Sequence, residues 1–278
     1  PPRQDRQPQE IPSGGQKHVT RENTMQQKDL YHSWKEEESR GMSGWDFSHL
    51  EGRYTVEPLP WDYREKVKEF LRPGVRLLDM GTGGGEFLLT LGHPYQLTSV
   101  TEGWAPNLAL CRKKLSLLGI TVQEYDSEKH PRMPFPDDSF DLIINRHESY
   151  DLGEVRRILK KNGFFVTQQV GGENDRPLVQ TLCPGFAGNY VGFNLENELP
   201  KFREEGFRVM YSNQAYPASK FLDVGAVVFH ASVCPWEFPN FSVETCQEAL
   251  LGLQSQLERY QFIPNREHRF VVIAKNRK

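Results

Sequence analysis

Between residues 75 and 170, short apolar runs alternate with segments whose apolar residues return every three or four positions. Val75–Met80, Leu97–Thr101, Ile120–Glu124 and Phe140–Asn145 have the length and composition of strands. Ala105–Leu118 reads as a helix: Leu108, Cys111, Leu115 and Leu118 share one face, and Gly119 closes it. A second helix runs through Val155, Ile158 and Leu159, and Asn162-Gly163 then turns into the strand Phe164–Val170. Strands alternating with helices at this spacing predict an α/β fold with a parallel sheet. Upstream, Asp62–Leu71 predicts a helix with a capping-box-like start at Asp62 and Glu65, an apolar face of Tyr63, Val67, Phe70 and Leu71, and a stop at Pro73-Gly74. Downstream, Asn197–Gly206 predicts a helix that tolerates Pro200 in its first turn, and Phe207–Ser212 a strand. Val224, Val227, Val228 and Ala231 fall on one helical face after Asp223, although this apolar run also suits a strand. Cys234–Pro239 breaks the run, Ser242–Tyr260 predicts a helix, and Arg269–Lys275 the last strand.

The N-terminal part has no such pattern. Residues 1–30 hold no Phe, Trp or Tyr and only scattered apolar residues among Gln and Pro, so too little surface is buried to offset ordering entropy. They are expected to be a disordered tail, or a vector remnant with Met25 as the start. Residues 31–61 then bring Tyr31, Trp34, Trp45, Phe47, Tyr54 and Trp61 in an irregular stretch. These aromatics either staple the segment to the core or line a pocket as a flap. The remainder, residues 62–278, reads as one domain with an insertion at about 214–262.

Composition narrows the function. The chain has 278 residues, 26% charged and 37% hydrophobic, with a net charge of −3. Proteins that hold a phosphate backbone carry a basic excess, so nucleic acid is not the expected partner. No apolar run reaches the roughly 18 residues of a membrane helix, and the N-terminus is not that of a secretory signal. Cys111, Cys183, Cys234 and Cys246 lie far apart without a CxxC pair, so neither a structural zinc site nor a disulfide framework is expected. A cytoplasmic setting follows as the default.

The strongest chemical signal is Leu77-Leu78-Asp79-Met80-Gly81-Thr82-Gly83-Gly84-Gly85-Glu86. An acid ends a buried strand, and glycines at 81, 83 and 85 let a ligand approach the backbone. A dinucleotide site would read GxGxxG and place a pyrophosphate at the helix start. Here the spacing is GxGxG, and an acid two residues earlier would repel a pyrophosphate but could hold an ammonium group. A ligand-free turn is the plain alternative. Glu102 ends the next strand, where a carboxylate can accept both hydroxyls of a ribose or simply favour the start of a helix. Asp126, beside Ser127, ends a third strand and could accept from an adenine amino group or serve a turn.

With these residues in view, Val75–Val170 resembles class I S-adenosylmethionine-dependent methyltransferases, the broad group acting on small molecules and some RNA bases. The resemblance rests on Asp79–Gly85, Glu102, Asp126, the run Pro134–Ile144 and Glu154–Gly163. It implies a doubly wound, Rossmann-like sheet of seven strands, mostly parallel with an antiparallel last strand, plus a helical insertion. It implies that Gly81, Gly83 and Gly85 pass the methionine part of the cofactor, with Asp79 near its amino group. Glu102 takes the ribose, Asp126 and Ser127 the adenine edge, and Trp104 packs on the adenine. Asn145 and Arg146 border the methyl group. Residues 145–148 read Asn-Arg-His-Glu, not Asn-Pro-Pro-Tyr, so methylation of DNA amines has no support. Lys161-Asn162-Gly163 replaces the family's Pro-Gly-Gly in a turn.

Methyl transfer is mainly alignment, and a base is needed only when the acceptor must lose a proton. His147 is the candidate base, with Glu148 to orient it, and Arg146 could bind an acidic substrate group. Their ordinary alternative is surface or packing. No metal is expected. Trp236 and Phe238 on the insertion either cover the acceptor or pack on the core. The tail faintly resembles ribosomal RNA guanine methyltransferases, but their cysteine-rich N-terminal module is missing. The expectation is methyl transfer to a small-molecule acceptor. The alternatives are an RNA-base or protein methyltransferase and a non-catalytic binding protein.

Overall fold

The computed structural model describes residues 15–42 and 44–278, with side chains from residue 27 onward. In chain order the elements are α1 (Gly15–Ser39), β1 (Tyr54–Val56), α2 (Tyr63–Lys68), β2 (Leu77–Met80), α3 (Glu86–Leu89), β3 (Thr98–Glu102), α4 (Ala105–Lys114), β4 (Thr121–Glu124), β5 (Phe140–Arg146) and α5 (Leu152–Ile158). There follow β6 (Leu159–Val170), α6 (Arg176–Leu182), α7 (Leu195–Glu204), β7 (Phe207–Ala215), β8 (Ala218–Phe221), α8 (Val224–Val233), α9 (Gln247–Tyr260), β9 (Ile263–Arg266) and β10 (Arg269–Asn276).

A seven-stranded sheet in the order β4-β3-β2-β5-β6-β10-β7 organises the molecule. The ladders from β4 to β6 are parallel, and β10 runs antiparallel to both β6 and β7. This is the doubly wound, mostly parallel sheet with an antiparallel last strand that the sequence predicted. The chain winds outward from β2 through β3 to β4, then returns to place β5 on the other side of β2. That reversal opens a crevice at the carboxyl ends of the strands, where such folds bind ligands.

Alternation along each strand sends side chains to opposite faces. Leu77, Leu142 and Ile144 pack on the α2–α4 face, while Leu78, Ile143 and Phe165 pack with Val155, Ile158 and Phe202 on the other. A third core belongs to the segment between β7 and β10. Trp34 of α1 packs there with Phe221, Val227, Phe229, Phe238 and Leu250. A small antiparallel sheet, β1-β8-β9, ties the N-terminal stretch to this segment.

Several boundaries differ from the sequence reading. The expectation of disorder through residue 30 does not hold from Gly15 on, because α1 is helical and docks Leu30, Tyr31 and Trp34 against the third core. Residues 1–14 of that expected tail lie outside the described residues. The expected irregular stretch 31–61 therefore starts with helix and contains β1. Cap geometry agrees better: Asp62 accepts from Glu65 N–H at 3.1 Å and Asp223 from Ala226 N–H at 2.7 Å, each starting a helix. The Val224 run is thereby a helix. β6 begins five residues earlier than Phe164, because Leu159 already pairs with Phe140; the expected turn survives as a bulge over residues 160–163, with Asn162 at a left-handed φ of 65°, before Phe164 pairs with Leu142.

Candidate active site

The crevice is built from four strand ends. Asp79 stands at the end of β2, buried, and accepts from Thr82 Oγ1 at 2.7 Å. Burial pushes its carboxyl up to about 7, against the pull of the Thr82 hydrogen bond and the Arg146 cation. Gly81, Gly83 and Gly85 all have left-handed φ, at 64°, 63° and 80°. At Gly81 a Cβ would lie 2.4 Å from Cβ and Cγ of Glu148, and at Gly85 it would lie 2.8 Å from the Leu115 methyls. Side chains are therefore excluded at both ends of the loop.

Glu102, buried at the end of β3, accepts from Gly83 N–H at 2.8 Å and Trp104 N–H at 2.9 Å. Burial raises its pKa although these amides oppose the shift. One carboxylate thus stitches the glycine loop to the next strand's exit. Asp126, beyond β4, accepts from Glu128 N–H at 3.0 Å and pairs with Lys129 at 2.6 Å, which holds it below the usual carboxylate range. Its Cβ lies under Gly103, and Ser127 donates to Ser149 Oγ at 2.8 Å.

Beyond β5 the expected residues separate. Asn145 is fully buried, and its Oδ1 accepts from Thr167 at 2.9 Å and Gln169 at 2.6 Å. Its Nδ2 has no hydrogen-bond partner among the described residues. Arg146 is exposed and lies over the Phe87 ring at 4.5 Å. His147 has φ 64°, so the chain turns there and sends His147 and Glu148 different ways. Gln168 accepts from Trp61 Nε1 at 2.7 Å, which points its amide nitrogen at His147 Nε2, 3.1 Å away. That chain makes Nε2 the acceptor and places the ring proton on Nδ1. The surrounding protein, then Arg269 and Arg146, hold the imidazole well below its usual pKa, although the residue keeps an open face. The expectation that Glu148 orients His147 is not met: Glu148 turns over Gly81, and Gln168 takes that task.

Three tryptophans meet above the loop. Trp45 lies 6.2 Å from Trp104 and 5.5 Å from Trp236, ring centre to ring centre, and its Cδ1 is 3.9 Å from a Cβ built at Gly83. Trp104 is 43% exposed and Trp45 53%. Phe238, named with Trp236 in the sequence, is instead buried in the third core. Sequence reasoning missed Glu148's contact with Gly81 and the Trp61–Gln168–His147 chain. Gln168, in an apolar strand, was the only local signal for the latter.

The residues suit a cationic amino-acid nucleoside. Two buried acids with raised pKa values, Asp79 and Glu102, flank a glycine-rich loop, and an exposed indole stands beside them. Among the described residues no group of three or more His, Cys, Asp or Glu is placed to hold a metal ion.

Residues 78–167 match the family model described as a methyltransferase domain. The chain is 32% identical over 90 residues to a phthiotriol/phenolphthiotriol dimycocerosates methyltransferase of Mycobacterium tuberculosis, covering 30% of this chain and 32% of that protein. It is 26% identical over 114 residues to a fatty-acid O-methyltransferase of Mycolicibacterium smegmatis, covering 37% and 40%. The match thus spans about a third of the length of these curated relatives. A solved candidate methyltransferase of Bacillus halodurans shares the fold with a TM-score of 0.54 at 16% identity, over 77% of this chain and 99% of that one. Acids, glycine loop and strand order agree with that match: residues 78–167 form a methyltransferase domain on a Rossmann-like sheet, with S-adenosylmethionine as its cofactor.

Proposed function

We propose that the chain transfers a methyl group to a small, largely apolar acceptor. The observation that carries this reading is the tryptophan roof over the glycine loop, an apolar and aromatic cover instead of a basic one. The two relatives named for a fatty acid and for phthiotriol dimycocerosates support an acceptor of that character. When bound, the cofactor supplies an already activated sulfonium methyl. The backbone of Gly81, Gly83 and Gly85 holds its methionine part, with Asp79 at the amino group. Glu102 takes the ribose, Asp126 and Ser127 the adenine edge, and Trp104 the adenine face. Asn145 and Arg146 border the methyl, and Arg146 meets an acidic group on the acceptor. His147 is neutral near pH 7, and its Nε2 takes an acceptor proton once the acceptor's hydroxyl replaces the Gln168 amide. The protein's main contribution is alignment and exclusion of water.

Titration calorimetry tests the cofactor site. S-adenosylmethionine binding falls at least tenfold in Gly83→Val and Glu102→Ala, and unchanged affinity in both folded variants rejects the assignment. Transfer of a labelled methyl group to oleic acid, bulk RNA or a mixed protein extract tests the acceptor. Label in RNA or protein alone overturns the small-molecule reading.

A further inference from the structure

The four acids around the cleft differ in what already satisfies them. Asp79 accepts from the Thr82 hydroxyl, Glu102 from two backbone amides, and Asp126 from an amide and the Lys129 ammonium. Glu148 is met by Ser149 alone, by its backbone N–H and by its hydroxyl at a long 3.3 Å, and that hydroxyl also accepts from Ser127 at 2.8 Å. Its carboxylate therefore keeps acceptor capacity, as that of Asp79 does, and its one side-chain contact is the longest of the set.

Position is the second observation. Glu148 packs directly over Gly81, with Oε2 2.7 Å from the point where a Cβ would stand. The charges that act on it are those of Glu102 and Asp126. It thus sits between the acid at the amino-group end, Asp79, and those at the ribose and adenine. In a ligand spanning those acids, the atom between amino acid and ribose is sulfur.

Resting on the cofactor reading above, we infer that Glu148 reads the charge on that sulfur: it favours the cationic sulfonium of S-adenosylmethionine over the neutral thioether of S-adenosylhomocysteine. In transfer the acceptor's electron pair forms the new bond to carbon, and the old carbon–sulfur pair stays on sulfur. Sulfur loses its positive charge, so Glu148 loses its partner when the reaction is complete. The same carboxylate that helps hold the substrate then does nothing to retain the product.

Burial and the Glu102 charge push Glu148 up to about 7. The titratable and charged groups around it are Glu102 from β3, Asp126 with Lys129 and His130 beyond β4, Arg146 at the end of β5 with His147 after it, and Asp79 from β2. Asp79, also near 7, serves an amino group present in both ligands and leaves their ratio unchanged. The preference for the sulfonium ligand should therefore grow as pH rises through 7.

Calorimetry on the full chain with both ligands tests this. At pH 8, Glu148→Gln should lower S-adenosylmethionine affinity roughly tenfold or more, with S-adenosylhomocysteine affinity within about twofold of its value in the unaltered protein. Equal loss for both ligands assigns Glu148 to packing or to the shared amino group and overturns the inference, as does no loss for either. If the variant does not fold, the unaltered protein decides: a ratio of affinities that stays flat from pH 6 to 8 also overturns it. Failure of the unaltered protein to bind either ligand would remove the cofactor reading itself, and this inference with it.

Discussion

Asp79 is held at a cost to the ligand-free protein. Its pKa is raised to about 7, above the ordinary value of 3.8, so the folded state binds more protons than the unfolded state between those values. Stability from this residue therefore falls as pH rises from about 4 to 7, and the deficit is complete above 7. Asp79→Asn should raise the stability of the ligand-free protein by roughly 1–3 kcal/mol at pH 8 while weakening cofactor binding at least tenfold. Urea unfolding at pH 8, with and without S-adenosylmethionine, checks both halves. Unchanged or lowered stability of the variant would show that the carboxylate is better solvated than its burial suggests. Asp79, Glu102, Asp126 and the glycines were legible in sequence because each stands at a strand end, where local pattern fixes position. Glu148 over Gly81, and Trp61 bonded to Gln168 107 residues away, depend on how distant segments meet, and no local pattern carries that.

Helix α8 shows how the third core is fastened. Asp223 caps it through Ala226 N–H and also receives Arg53 in a two-pronged pair at 2.9 and 2.6 Å. Arg53 in turn meets Glu37 of α1 at 3.0 Å. One carboxylate therefore joins a helix start, the residue before β1 and the N-terminal helix. Asp223→Ala should cost about 1–2 kcal/mol, the cap supplying most of it because the carboxylate is partly exposed. Thermal unfolding with Arg53→Ala and the double variant separates the two parts: a double variant equal to the sum of the singles would deny the pair any coupling. At this scale the central sheet was readable, since its strands are apolar runs between helical periods. β1, β8 and β9 were not, because strands of three or four residues in a small, partly exposed sheet leave too short a pattern. The early start of β6 was hidden by Asn162-Gly163, which signals a turn and does make one, as a bulge between the pairings of Leu159 and Phe164.

Across the whole molecule, three segments distant in sequence converge on the cleft: Trp45 before β1, Trp104 after β3 and Trp236 after α8. Such a roof closes by small shifts of its parts and shields the reacting groups from water. Amides in 44–50 and 234–241 should exchange more slowly once S-adenosylhomocysteine is added, and equal exchange with and without it would return these tryptophans to plain packing. The position of β10 has a different consequence. It is made after both β6 and β7, yet it lies between them, bonded to both along most of its length. A ribosome synthesising this chain therefore releases two long strands whose facing edges stay open until residues 269–276 emerge. Open edges recruit other strands. Nascent chains are exposed to mispairing throughout synthesis of the segment between β7 and β10, and premature termination anywhere in it leaves a product with an unclosed sheet, suited to aggregation or to capture by chaperones.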